Sequence, residues 1–543
     1  MIELKRTFCL LLIFVFIASA STFSACAQAL HNGTSQPNIL WITCEDMSPD
    51  LQMFGDATVA TPNLSRLASE GIRYNQVYST SGVCAPSRSA LITGMYATTM
   101  GTHNMRTGSG GRAGLINYEG VPPQEAKCFS EYLRAAGYYC TNNAKTDYQF
   151  GNPFTAWDEN SNKAHWRNRP SGKPFFAVFN IERTHESQIW VHKNQPLRVD
   201  PNKIKVPPYY PETPVIRRDI ARYYDNIMVM DSIVGIILKQ LKEDGLDNNT
   251  VVFFFSDHGA GLPWYKREVH GRGLHVPLII RFPDKRNAST ANNDLISFID
   301  FAPSVLSLAN VAIPKHMQGQ AFLGTRRANQ PRLYIHAARD RMDELNDMTR
   351  AVRDLRFHYI RNYQPDKTYY QDLPYRLQMD LMNEILRLKQ QNKLSPVANR
   401  WFETKAPEEL YDIQQDTYEL KNLANDPAYK KELNRMREAH IEWTVNTKDK
   451  GYIPEKDLIE IMWPGLQQPE TAEPVAEMLS KSGDKSMVKL NCPTTGASIG
   501  YRFDNDEKWQ LYHQPISVPK NTHLVLSAIR YGYKRSKEVK ISF

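Results

Sequence analysis

Pro37-Asn38-Ile39-Leu40-Trp41-Ile42-Thr43-Cys44-Glu45-Asp46 sets a continuous apolar run directly against two adjacent carboxylates. Such a run predicts a strand buried on both faces. Neighbouring carboxylates repel each other unless a cation or solvent relieves them. The stretch therefore predicts a buried strand that delivers acidic groups at its carboxyl end.

The pattern repeats outward from there. Runs at 138–141, 175–180, 251–255, 278–281 and 333–336 read as further strands. Between them lie helical segments: one opened by Thr61-Pro62-Asn63 and closed by Gly71, one over 86–93 closed by Gly94, one over 129–136, and a long amphipathic one over 216–244. Alternation of this kind predicts an α/β fold with a central, mostly parallel sheet between helices. Open sheets of that kind place their sites at the carboxyl ends of the strands. Glu45-Asp46, His185 and Asp257-His258 each closely follow a strand. Later the texture changes. A long helix is expected over 375–393 after Pro374, an acidic loop over 408–427, and a Pro/Glu-rich linker over 467–474. Short alternating strands at 487–490, 498–503, 522–528 and 538–543 then predict a small C-terminal β-sandwich over 474–543.

The chain has 543 residues, 41% of them hydrophobic, enough for a large core and more than one domain. Lys5 and Arg6 precede an apolar stretch at 10–18 that falls short of the ~20 residues a span needs, so residues 1–27 read as a signal peptide with Ala25-Cys26-Ala27 as cleavage site. A poor lipobox, Phe23-Ser24-Ala25-Cys26, leaves a lipid anchor on Cys26 as the second reading. Both send the chain out of the cytoplasm, to the periplasm or beyond. No later run is long enough for a transmembrane anchor. Cys44, Cys84, Cys128, Cys140 and Cys492 are few for an exported protein, so disulfides are not its main support; pairing of Cys128 with Cys140 stays open. The net charge is +8, and the excess concentrates in the tail. It reads either as a soluble basic surface or as attraction to a polyanion. No motif points to nucleic acid.

The sharpest local feature is Cys84-Ala85-Pro86-Ser87-Arg88, followed by Leu91-Ile92-Thr93-Gly94. Pro86 suits the first turn of a helix, which places Cys84 at a helix N-terminus where free amides favour an anion. Arg88, one turn on, can face the same anion as a charge-assisted donor. These residues resemble the C-x-P-S-R maturation signal of the type I, formylglycine-dependent sulfatases of the alkaline phosphatase superfamily. The resemblance runs from about residue 37 to 423. It is nearest to bacterial polysaccharide sulfatases, including members similar to heparan N-sulfatases.

The resemblance implies an alkaline-phosphatase-like sulfatase fold over 37–465, with a C-terminal subdomain from about 330. It implies that a separate formylglycine-generating maturation enzyme oxidises Cys84. Glu45, Asp46, Asp257 and His258, with Cys84, are the implied metal ligands. Glu45 departs from the family's usual Asp. An oxygen-rich set suits Ca²⁺, while His258 leaves Mg²⁺ or Mn²⁺ open. Arg88, Lys145 and Lys266 are implied sulfate ligands, with Arg267 competing for the position of Lys266. His185 takes the place of the residue that protonates the leaving alcohol. Asp147 stands where the family has a His, so the base that resets the enzyme is Asp147 or a histidine from elsewhere, such as His165 or His103. His165, Arg167, His336 and Arg339 are candidates for sugar contacts. The implied activity is hydrolysis of sulfate esters or N-sulfate on a sulfated glycan: ulvan, another algal polysaccharide or a heparan-type glycosaminoglycan. The alternatives are a phosphatase or phosphonate hydrolase on the same fold and an inactive glycan-binding homologue.

Overall fold

The strand Asn38–Cys44 lies inside an eight-stranded sheet and is buried along its whole length. In this computed structural model, which describes residues 36–108, 114–504 and 506–543, the expected signal peptide and Cys26 lie outside the described residues. The spatial order of the sheet is Glu159–Asn160, Tyr139–Asn143, Phe175–Ile181, Asn38–Cys44, Thr250–Ser256, Leu278–Arg281, Ile72–Tyr74, Thr290–Asn292. Leu278–Arg281 is antiparallel to both its neighbours, and every other pairing is parallel.

The first strand shows why the sheet is enclosed. Leu40, Ile42 and Cys44 point into a core that includes Ile216, Ile220 and Ile227 of the long helix Pro214–Glu243. Ile39 and Trp41 point into the opposite core with Phe129, Leu133, Phe301 and Val305, from the helices Phe129–Ala135 and Phe301–Leu308. Each large apolar side chain removed from water contributes roughly 1.5–3 kcal/mol. A one-residue slip would exchange the two sets, so register is tightly specified. Because the flanking strands are parallel, the residues after Cys44, Asn143, Ile181 and Ser256 emerge along one edge.

A four-stranded antiparallel sheet follows: Ile335–Met342, Leu345–Arg353, Phe357–Asn362, Glu408–Asp412. The helix Lys430–Asn446 covers one face through Leu433 and Met436 against Val352, Tyr359 and Leu410. Three expectations are corrected here. The run at 333–336 belongs to this sheet and not to the central one, and Leu333 is exposed. The helix expected over 375–393 is interrupted by extended Met379, so a 3-10 turn Arg376–Gln378 precedes the helix Asp380–Gln390. The acidic segment at 408–427 begins as a strand: Glu409 is buried because Asn362 and Tyr411 donate to it.

The tail forms two antiparallel sheets, Val475–Ser482, Lys485–Asn491, Ile516–Pro519 and Gln510–Leu511, Ser498–Phe503, His523–Ile529, Val539–Ser542. They share a core of Val488, Leu490, Val518, Leu524 and Leu526. Val475–Ser482 and Ile516–Pro519 are strands the sequence pattern did not announce. Asn38–Phe543 is one compact unit, and the sandwich docks on the helix Phe129–Ala135. Buried Glu131 there accepts hydrogen bonds from Ser498 Oγ (2.7 Å), Tyr531 Oη (2.8 Å) and Thr155. Cys128 and Cys140 are buried free thiols, which closes the question of their pairing. Among the described residues, no helix is long and apolar enough to cross a membrane.

Candidate active site

Cys84 opens the helix Cys84–Thr93, in which every residue is buried. Val83 before it is extended, and Gly94 closes the helix in the left-handed region at φ 68. The Cys84 thiol therefore sits where the first-turn amides are free. Its Sγ is 3.3 Å from His258 Nε2 and 4.0 Å from Asp46 Oδ1.

The two strand ends meet over this thiol. His258 Nε2 is 3.0 Å from Asp46 Oδ1 and 3.8 Å from Asp257 Oδ1. The Asp46 amide donates to Asp257 Oδ1 at 3.0 Å, and the left-handed turn at Asp46 (φ 52), tolerable for Asp, allows it. Asp46, Cys84, Asp257 and His258 offer ligand atoms all within 4.8 Å of one another, as do Glu45, Asp46, Cys84 and His185. His258 Nδ1 faces the Gly259 carbonyl at 2.9 Å, so it must donate there, and Nε2 faces the cluster: as imidazolium it donates to Asp46 at 3.0 Å, and as the neutral ring that a bound cation requires it would present its lone pair.

Cations surround the acids. Lys266 Nζ donates to Asp46 Oδ2 at 2.7 Å, Lys145 Nζ to Glu45 Oε2 at 2.8 Å, and Arg88 Nε to Asp257 Oδ2 at 3.1 Å. Burial alone would lift the Asp257 carboxyl, but His258 and Arg88 outweigh it and bring it to about 2. Burial is likewise overcome at Asp46 by Lys266, His185 and His258, which hold it well below the usual carboxylate range. At His258 the sign reverses: burial opposes the charge, yet Asp257 and Asp46 push the imidazole well above its ordinary value. Asp257 and Asp46 thus draw onto His258 the positive charge that a cation bound among them would supply instead.

An open cavity of ≈ 390 Å³ leads to this cluster, lined by Glu45, Lys145, Asp147 and His185 among others. His185 Nδ1 is 2.8 Å from Ser187 Oγ; burial, then Lys266, lowers its pKa. Asp147 stands 4.0 Å from Lys145. Five expected contacts lie elsewhere. Arg267 is one layer back, paired with Glu186 at 2.9 Å and Asp343 at 3.3 Å, while Lys266 reaches past the shared Glu186 to Asp46. His165 and Arg167 are held by Gln240 of the long helix and by Asp244 at its C-cap. His336 stacks on Trp443 at 4.8 Å and lines a different cavity. Arg339 is buried on Glu268 and Gln371. His103, the other histidine considered for the base, is buried and does not line the cavity.

Residues 37–170 and 161–311 match the family model described as Sulfatase, and 259–399 the model described as N-sulphoglucosamine sulphohydrolase, C-terminal. An ulvan-active sulfatase from Formosa agariphila is 45% identical over 551 residues, with 93% of this chain and 91% of the relative covered. The chain belongs to the sulfatase family. Human N-sulphoglucosamine sulphohydrolase is 22% identical to this sulfatase, with 76% and 90% of the two chains covered. A solved enzyme bound to its substrate D-glucosamine-2-N,6-O-disulfate superposes with a TM-score of 0.56 at 16% identity, covering 78% and 99%. A phosphonate monoester hydrolase from Silicibacter pomeroyi gives 0.57 at 18%, covering 77% and 97%. At those identities the likeness is one of fold, and the expected alkaline-phosphatase-like sulfatase fold holds.

Sulfatases of this family generally use formylglycine and a divalent metal. The acidic cluster of this sulfatase fits such a cation: Glu45 Oε1 is buried with no hydrogen-bond partner, and Asp46 and Cys84 group closely both with Glu45 and His185 and with Asp257 and His258. Sequence reasoning passed over Glu186 and Asn180. Glu186 takes Lys266 at 3.0 Å and Arg267, and its amide donates to Asp46 Oδ2 at 2.7 Å. Asn180 Oδ1 accepts from Arg88 (2.8 Å) and Thr43 (2.9 Å). Their signal was position alone, since each follows or ends the strand that carries His185.

Proposed function

We propose that this sulfatase removes sulfate esters from a sulfated polysaccharide of the ulvan type, with Cys84, oxidised to formylglycine by a maturation enzyme, as its nucleophile. One observation carries the reading: Cys84 stands at the first turn of a buried helix, beside Asp46 and His258, below one open cavity. The ulvan-active name of the relative at 45% identity favours an algal polysaccharide over a heparan-type substrate, where the relative stands at 22%. Glu45, Asp46, Asp257 and His258 would hold the cation, Ca²⁺ by its preference for oxygen. Bound there, it would supply Lewis-acid stabilisation of sulfate charge. Lys145, Lys266 and Arg88 neutralise the sulfate oxygens. His185, fixed through Nδ1 by Ser187, gives a proton to the departing sugar oxygen. We assign export to residues 1–27, catalysis to 37–465 and an accessory role to 474–543.

The test is sulfate release from ulvan oligosaccharides, beside a phosphate and a phosphonate ester, by protein co-expressed with a maturation enzyme. The residue-84 peptide should carry formylglycine by mass, and Cys84→Ala should lose at least about 10³-fold in kcat/KM. Full activity in the alanine variant, or preference for the phosphonate, ends the reading. Chelation should lower both activity and the melting temperature. Recovery of the melting temperature with Mn²⁺ but not Ca²⁺ would displace the calcium assignment alone.

A further inference from the structure

The cavity holds a cation that the reaction above leaves unused. Arg106 lines it beside Lys145, Asp147 and His185. Among the described residues Arg106 makes no hydrogen bond, and its ion-pair contact is Asp147 Oδ1 at 3.9 Å, beyond hydrogen-bond distance. Its side chain is 35% exposed. Lys145 differs, since it donates to Glu45 at 2.8 Å and the reading above already assigns it to the scissile sulfate. Arg106 also holds a left-handed backbone at φ 60, and so does Asp147 at φ 57. A non-glycine residue there costs of order 1–2 kcal/mol, which the surrounding structure must offset. The guanidinium thus lies on the cavity wall with its donors uncommitted among the described residues.

Tyr375 stands near His185, which lines the cavity. Its ring is 6.5 Å from that of His185, packs edge-on against Trp190 at 5.3 Å, and is 37% exposed. An exposed aromatic face suits the apolar face of a sugar ring, and a free guanidinium suits a carboxylate or sulfate in bidentate geometry. The cavity is also roomier than a single sulfate needs.

We propose that Arg106, with Tyr375 beside it, forms a subsite for a second anionic group on the substrate, a carboxylate or another sulfate on the sugar next to the scissile ester. This inference rests on the sulfatase reading and narrows its substrate to a doubly charged stretch of glycan.

The test compares kcat/KM for three sulfated oligosaccharides alike at the scissile ester: one with a neighbouring uronate, one with that carboxyl reduced to the alcohol, and one with a neighbouring sulfate. Wild type is expected to prefer a doubly anionic substrate over the reduced one. In Arg106→Gln that ratio should fall about 10- to 100-fold, chiefly through KM, with partial recovery in Arg106→Lys. Added salt should erode the preference in wild type more than in the glutamine variant. The carboxylate and sulfate arms show which anion is taken. A ratio unchanged by Arg106→Gln, or a wild type indifferent to the second charge, overturns the subsite and leaves the sulfatase reading standing. A wild type inactive on all three but active on a phosphonate overturns both.

Discussion

Glu186 shows how much of the site depends on a residue that touches no reacting atom. Its carboxylate is shared by Lys266 and Arg267, and its amide fixes Asp46. Burial would lift its pKa, but Arg267 and Lys266 bring it to about 2. Removing one partner of a buried ion pair leaves charge uncompensated, so Glu186→Gln is expected to destabilise the fold by about 3 kcal/mol in denaturant unfolding. A loss below about 0.5 kcal/mol would mean that Asp46 and Asp343 satisfy the two cations alone. Residues of this kind were hard to read from the chain. Cys84, Arg88, Asp46 and Asp257 announce themselves through local chemistry, a helix start or a strand end. Glu186 matters through partners some 80 positions away, |i−j| = 81 for Arg267, and nothing adjacent in sequence marks that pairing. Arg267 looked interchangeable with Lys266 for the same reason: both pair with Glu186, and only Asp343 for one and Asp46 for the other, both distant in sequence, separate their roles.

The helix Cys84–Thr93 is the element that makes the thiol useful. It is buried all round, so its ends and not an amphipathic stripe determine where it lies. Gly94 closes it at φ 68, and a Cβ there would meet Ala302 Cβ at 3.2 Å and Met317 Sδ at 3.3 Å. Gly94→Ala is expected to cost about 1–2 kcal/mol from the left-handed backbone, plus the cost of moving those neighbours. A melting temperature equal to wild type would show that the helix end is not fixed by this residue. The helix and the central strands were legible because hydrophobic period and terminal residues act locally. The strand Glu408–Asp412 was not, because its acidic composition suggests solvent. Glu409 is buried because Asn362 and Arg400 come from elsewhere to meet it, joined by Tyr411 of its own strand. The break at Met379 likewise has no Pro or Gly to betray it.

The sandwich, though expected as an accessory to the catalytic part, is bound into it. Glu131 takes two of its three donors from Ser498 and Tyr531, the Tyr531 ring stacks on Phe150 at 5.1 Å, and Arg134 donates to the Trp509 carbonyl at 2.8 Å. Deleting 474–543 would bare this surface and leave a buried carboxylate short of donors, at a cost of more than about 3 kcal/mol. The truncated protein is expected to melt lower and to lose turnover of a small aryl sulfate in step with its folded fraction. A truncation with the wild-type melting temperature would show the two parts to be independent. The enclosure of Cys84, which has no exposed surface, bears on the order of events in the protein's life. If Cys84 is matured as proposed above, the modifying enzyme must act before Met105, His258 and Met342 close over the thiol. The interval between emergence of residue 84 and packing of these neighbours would then be the time available, and faster folding would shorten it.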